Sequence, residues 1–299
     1  MPRSLFFCFV VLLLALPVGA QEFASVREGT SNEIAYIEDG NPRHELDLYL
    51  PEGDAPAPVI FMVHGGGYIF GDKSQVRWTA RHFIAQGYAV VAPNYRLAPT
   101  HTYPAQIEDV FCALAWTVAN AEQYNLDTSR LFLMGESAGA NAIAMLAAVD
   151  DPQNYLSNCL HALPDDFKAV GVVAFYTPVD LSSCECRVAK RMLTLYLGAE
   201  ADFSSLLARE DEMRDVWASA SPLTWLDGSE APFLLIHGTA DNLVPISESE
   251  LLQQRLQAVG VPVELFRVDN AGHGFFSYTN TAHMQAALPV VGRFLAQHD

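Results

Sequence analysis

Positive charge is what this sequence has least of. Its 299 residues carry 17 Lys and Arg against 35 Asp and Glu, a formal net charge of −18. A surface of that sign repels a phosphate backbone and an anionic bilayer alike. It excludes nucleic acid as a partner, argues against stable membrane association, and favours uncharged substrates. Cysteine is also sparse, with five in the chain. Cys184 and Cys186, one residue apart, lack the Cys and His spacing of zinc modules, so no metal site and no cofactor is expected. There is no internal repeat and no low-complexity segment. Neither a G-x-G-x-x-G nor a P-loop lysine pattern occurs, which removes the nucleotide-binding classes. A long apolar run appears at residues 5–16, behind Arg3, and it is short for a membrane span. With Val18-Gly19-Ala20 as a small-residue cleavage site, residues 1–20 read as an export leader. The chain is then expected to be secreted or periplasmic, with residues 21–299 as the mature protein.

What the sequence does have is a rhythm of short apolar runs alternating with helical stretches. Such a rhythm predicts an α/β domain with a mostly parallel sheet and helices on both faces. Strands are expected at 58–63, 130–134, 169–175, 232–238 and 261–268, and helices at 106–119, 140–149 and 247–259. Within this frame stands Gly135-Glu136-Ser137-Ala138-Gly139, with a buried strand before it and an Ala-rich helix after it. A G-x-S-x-G in that context is a nucleophile elbow. The tight turn needs small neighbours and lifts the Ser137 hydroxyl to the carboxyl end of the sheet.

A serine hydroxyl needs a base, and the base needs an orienting acid. Asp241 follows the strand at 232–238. His273, flanked by Gly272 and Gly274, follows the strand at 261–268. The order Ser, Asp, His suits the elbow. Asp180 is the rival acid, on the loop after an earlier strand. His237 is the rival base, but it precedes the acid and sits just before a tight turn, so it reads as structural support. Upstream, His64-Gly65-Gly66-Gly67-Tyr68 closes another buried strand. Three glycines let backbone N–H groups approach the oxygen on which negative charge develops during acyl transfer.

Together these motifs resemble the α/β-hydrolase superfamily, and within it the hormone-sensitive-lipase-like esterases and small secreted acetyl-xylan or feruloyl esterases. The likeness extends to Leu46-Asp47-Leu48-Tyr49-Leu50-Pro51, Gly71-Asp72-Lys73, Asn94-Tyr95-Arg96-Leu97-Ala98-Pro99, Tyr103-Pro104-Ala105 and Glu108-Asp109. It implies that Gly66, Gly67 and Ala138 form the oxyanion hole, that His64 braces the glycine loop, and that Arg96 pairs structurally with Glu108 and Asp109. Two positions depart from that family's pattern: Glu136 stands where many relatives have Asp, and Tyr68, at the acyl or alcohol pocket, where Trp or Phe is frequent.

In this family, an irregular insertion such as residues 150–166 and 181–225 forms a cap over the site, here with two short helices. Only about forty residues separate the end of the leader from His64. That leaves room for a leading strand or two but little for a helical N-terminal cap, so a fairly open site is expected. Cys112, in the apolar helix, reads as a buried thiol, while Cys159 with Cys184 or Cys186 could staple the insertion. Tyr68, Phe70, Tyr176, Phe275 and Phe276 follow strands on the loops that carry such sites, and are candidates to wall a shallow substrate pocket. The expected activity is hydrolysis of short-chain acyl esters by a Ser-His-Asp acyl-enzyme route, on a small-molecule or polysaccharide-linked ester. The alternative is an amide or formamide hydrolase, an arylformamidase or peptidase, with the same triad. A long-chain lipase would show a more apolar lid than Arg209-Glu210-Asp211-Glu212, and a non-catalytic scaffold would have lost Ser137 or His273.

Overall fold

The computed structural model describes residues 31–181, 190–198, 210–276 and 281–299. The leader with Cys8, the Cys184 and Cys186 pair, and the side chains of the 209–212 stretch lie outside the described residues.

Eight strands form one sheet: β1 (Ser31–Ala35), β2 (Glu45–Tyr49), β3 (Ala57–Val63), β4 (Ala89–Pro93), β5 (Leu126–Glu136), β6 (Gly171–Phe175), β7 (Phe233–Gly238) and β8 (Val263–Val268). They are ordered β1-β2-β4-β3-β5-β6-β7-β8. Pairing is antiparallel from β1 to β4 and parallel from there to β8. The two antiparallel strands are the expected leading ones. Strands buried on both faces need apolar side chains throughout, which is why β3, β4, β6, the 131–134 part of β5 and most of β7 read as continuous apolar runs.

The pleat then divides those residues between two cores. Val59, Phe61, Leu133, Val172 and Leu235 meet α2 (Ala105–Ala119), α3 (Ala138–Ala148) and α7 (Ser247–Ala258) on one face. Ile60, Met62, Met134, Val173 and Ile236 meet α1 (Arg77–Ile84) and α8 (Ala282–His298) on the other. Between these lie α4 (Gln153–Leu156), α5 (Lys190–Tyr196) and α6 (Glu210–Ser219). The last two are the short helices expected between 181 and 225. β8 starts at Val263, two residues later than expected, because Pro262 has no N–H to give the ladder.

The cysteine expectation is corrected. Cys112 is not a free thiol: it is disulfide-bonded to Cys159, across 47 residues. Cys159 follows α4, which lies on α2, with Tyr155 stacked on Phe111 at 5.2 Å. The covering that buries Cys112 therefore brings its partner with it. The bond ties the 150–166 segment to α2.

Several upstream motifs are scaffold. Arg96 binds both oxygens of the fully buried Asp109 at 2.7–2.9 Å and Glu108 at 3.1 Å. Lys73 is buried against Asp47 at 2.8 Å. Asp72 caps the turn Lys73–Val76 through the Ser74 N–H. The ion pairs fix the loops beneath the site rather than entering it.

Candidate active site

The elbow is built by close approach. β5 ends at Glu136 and α3 begins at Ala138, so Ser137 alone makes the turn, at φ 53° and ψ −117°. A Cβ on Gly139 would collide with the carbonyls of Val63 and His64, so only glycine lets α3 meet β3 this closely. Ser137 N–H donates to Phe175 O at 2.9 Å, and Asn141 N–H donates to Ser137 O at 3.0 Å. Positive φ at a serine is strained, and both bonds hold it there.

Asp241 and His273 ride on the loops after β7 and β8. Those loops are fastened to each other by Thr239 N–H to Val268 O, Asn270 N–H to Thr239 Oγ1 and Ala240 N–H to Ala271 O. His273 Nδ1 lies 2.7 Å from Asp241 Oδ2, and His273 Nε2 lies 2.9 Å from Ser137 Oγ. A carboxylate only accepts, so the imidazole proton sits on Nδ1 and leaves the Nε2 lone pair facing the Ser137 hydroxyl.

Asp241 Oδ1 accepts the N–H groups of Leu243 and Val244, each at 2.9 Å. Burial acts to raise the Asp241 pKa. Hydrogen bonds from His237, His273 and Val244 N–H outweigh it and hold the carboxyl well below the usual range. His237 is support, as expected. Fully buried, it donates from Nε2 to Val244 O at 3.0 Å, lies 3.4 Å from Asp241 Oδ2, and accepts the Ser249 hydroxyl at Nδ1. Asp180 stays on the loop after β6, where its N–H donates to Glu248. The bond to His273 belongs to Asp241.

The glycine loop faces the same opening. A Cβ on Gly66, at φ +126°, would run into the Phe70 carbonyl. His64 braces it in a defined tautomer. Nδ1–H donates to Gly65 O at 2.7 Å, Nε2 accepts from Arg43 at 3.4 Å, and the ring stacks on Tyr95 at 4.3 Å. Burial pushes the His64 pKa down to about 4; the Gly65 carbonyl opposes this and the Arg43 charge adds to it. The imidazole is therefore neutral, as its acceptor role requires.

A cleft of about 270 Å³ joins these parts, and Gly66, Gly67, Ser137, Ala138 and His273 all line it. Of the aromatic candidates, Tyr68, Phe70 and Tyr176 also line it. Phe70 is 51% exposed at the mouth. Phe275 and Phe276 do not belong there. Both are buried in the core of the α8 face, Phe275 edge-on to Tyr176 at 5.3 Å and Phe276 stacked on Phe175 at 3.9 Å. The Tyr68 ring is only 1% exposed, and its hydroxyl points to α3, away from the cleft. Missed from sequence were Gln75, Pro178, Met192, Leu193, Leu243 and Val244. Leu243 and Val244 directly follow the acid and were findable. Met192, on α5 against Gly67, carries no motif. Among the described residues, no cluster of three His, Cys, Asp or Glu side chains is arranged for a metal, and no helix is long and apolar enough to cross a membrane.

A mostly parallel eight-stranded sheet with an elbow after β5 and the acid and base after β7 and β8 defines the α/β-hydrolase fold. Within it, the BD-FAE family model matches residues 46–256, and the chain belongs to that family. It is 29% identical over 246 residues to esterase LipC of Mycobacterium tuberculosis, covering 79% of this chain and 58% of LipC. It is 28% identical over 274 residues to the probable carboxylic ester hydrolase LipM of the same organism, covering 89% of this chain and 60% of LipM. The chain thus spans somewhat over half the length of these relatives. A solved structure described as a truncated carbohydrate esterase from gut microbiota superposes with a TM-score of 0.74 at 22% identity, covering 92% of this chain and 98% of that one. That likeness establishes the fold.

Proposed function

We propose that this chain is a carboxylic ester hydrolase for short acyl groups, working through a covalent acyl-enzyme on Ser137. The observation that carries the reading is the continuous chain from Asp241 Oδ2 to His273 Nδ1 at 2.7 Å and from His273 Nε2 to Ser137 Oγ at 2.9 Å, at the wall of the cleft. His273 takes the Ser137 proton as Oγ attacks the ester carbonyl, and returns it to the departing alcohol. Water, deprotonated by the same imidazole, then releases the acid. Asp241 holds the tautomer and stabilises the imidazolium. Backbone N–H groups of Gly66, Gly67 and Ala138 receive the oxyanion, each worth about 3 kcal/mol in the transition state. Relatives named as ester hydrolases favour ester over amide.

The cleft volume and the closure of Gly67 by Met192 support acyl groups of about two to four carbons. Phe70 at the mouth offers an apolar face to a bulky alcohol or a sugar-linked ester. The Cys112–Cys159 disulfide supports export to an oxidising compartment. A panel of p-nitrophenyl esters from acetate to palmitate, with acetylated xylan, a feruloyl ester and a formanilide, tests all of this. Highest kcat/KM at acetate to butyrate is expected. A maximum at palmitate or on the formanilide would overturn the substrate class.

A further inference from the structure

Tyr68 and Asn141 lie outside the reacting set, yet together they tie the glycine loop, the Ser137 elbow and the loop after β6 to one another. Tyr68 directly follows Gly67 and holds φ +62°, a left-handed conformation that a bulky side chain adopts only when something fixes it. Its backbone carbonyl accepts Ala98 N–H at 2.9 Å, and its buried ring stacks on Tyr196 at 3.9 Å. Its hydroxyl donates to Asn141 Oδ1 at 2.6 Å.

Asn141 lies one turn along α3 from the elbow and is fully buried. Its N–H holds Ser137 O, and its Nδ2 donates to Pro178 O at 3.0 Å, on the loop after β6. The Pro178 carbonyl can only accept, so it fixes the amide orientation and presents Oδ1 to Tyr68. Burial pushes the Tyr68 phenol well up, with a neighbouring tyrosine adding to the shift, so it stays a donor. A phenylalanine at position 68 would keep the ring and lose the link.

The geometry points to Tyr68 and Asn141 as positioning residues: their hydrogen bond locks the glycine loop in register with the Ser137 elbow, setting where the oxyanion N–H groups stand relative to the nucleophile. The inference rests on the serine-esterase reading above. Preorganised donors act only where charge develops, and misplacement of order 1 Å costs about 10²-fold. Loss of the lock therefore falls on kcat, with KM little changed.

The experiment compares wild type, Y68F, N141L and the double variant on p-nitrophenyl butyrate, with active sites counted by stoichiometric phosphonate labelling. We expect kcat per labelled site to drop by about 10- to 100-fold in each single variant, KM to stay within about twofold, and the double variant to lose no more than the worse single. A purely structural role would lower Tm and the number of active sites and leave kcat per site intact. That result, or independent losses that multiply, would overturn the inference. Wild-type protein that hydrolyses no ester and takes no phosphonate on Ser137 would instead refute the serine-esterase reading, a distinct outcome.

Discussion

Asp241 is set apart from Asp180 by what surrounds each one, since both are aspartates on loops after parallel strands. Two backbone N–H groups, His237 and His273 converge on the Asp241 carboxylate, which keeps it ionised far below neutral pH. Asp241→Asn should reduce kcat on the order of 10³- to 10⁴-fold, because an amide can stabilise the wrong imidazole tautomer. Asp180→Asn should cost only a few-fold, and the reverse ranking in steady-state kinetics would transfer the acid role. With Asp241 charged throughout, its own titration does not enter the rate–pH profile near neutrality. Stability has a different titrant. His64 is neutral when folded, with its pKa at about 4, against about 6.5 in an unfolded chain. A depressed folded value means that the unfolded state binds more protons between those limits. Stability is therefore fully present above about pH 6.5 and falls by about 3 kcal/mol as pH drops toward 4. Melting curves across that range should show the fall, and His64→Asn should flatten it. An unchanged slope would mean that His64 is not the group responsible.

At the scale of elements, the disulfide and α5 give the sharpest tests. Removing the bond with Cys159→Ser frees a segment spanning 47 residues and should cost about 2–4 kcal/mol of stability. Neither cysteine lines the cleft, so kcat should hold while the denaturation midpoint falls. α5 brings Met192 against Gly67, and Met192→Ala should open the cleft and shift the preferred acyl chain upward by about two carbons. An unchanged chain-length profile would remove Met192 from the acyl wall. These two elements also mark where sequence reading stops. β3, β5, β7 and the elbow were legible because apolar runs and small-residue turns are local consequences of burial. The Cys112–Cys159 pairing was not, because it depends on α4 lying on α2, a contact between segments with no shared periodicity. Phe275 and Phe276 were misplaced for a related reason. A loop position after a strand says that a ring is near the site, but not which side of Tyr176 it packs on.

Over the whole molecule, the two cores on either face of the sheet hold the loops after β3, β5, β7 and β8 at one edge, where their side chains meet although they come from four separate stretches of chain. That convergence was readable from the Ser, Asp, His order, while the tie between the glycine loop and α3 through Asn141 was not. The central claim is that this edge turns Ser137 into a nucleophile. The most direct test is to expose the protein to a short alkyl phosphonate ester, digest it and locate the adduct by mass spectrometry, beside Ser137→Ala under the same conditions. One adduct per chain on Ser137, complete loss of ester turnover on labelling, and an unlabelled, folded Ser137→Ala protein with only residual activity are the predicted results. An adduct on another residue, or an alanine variant that keeps wild-type turnover, would contradict the account.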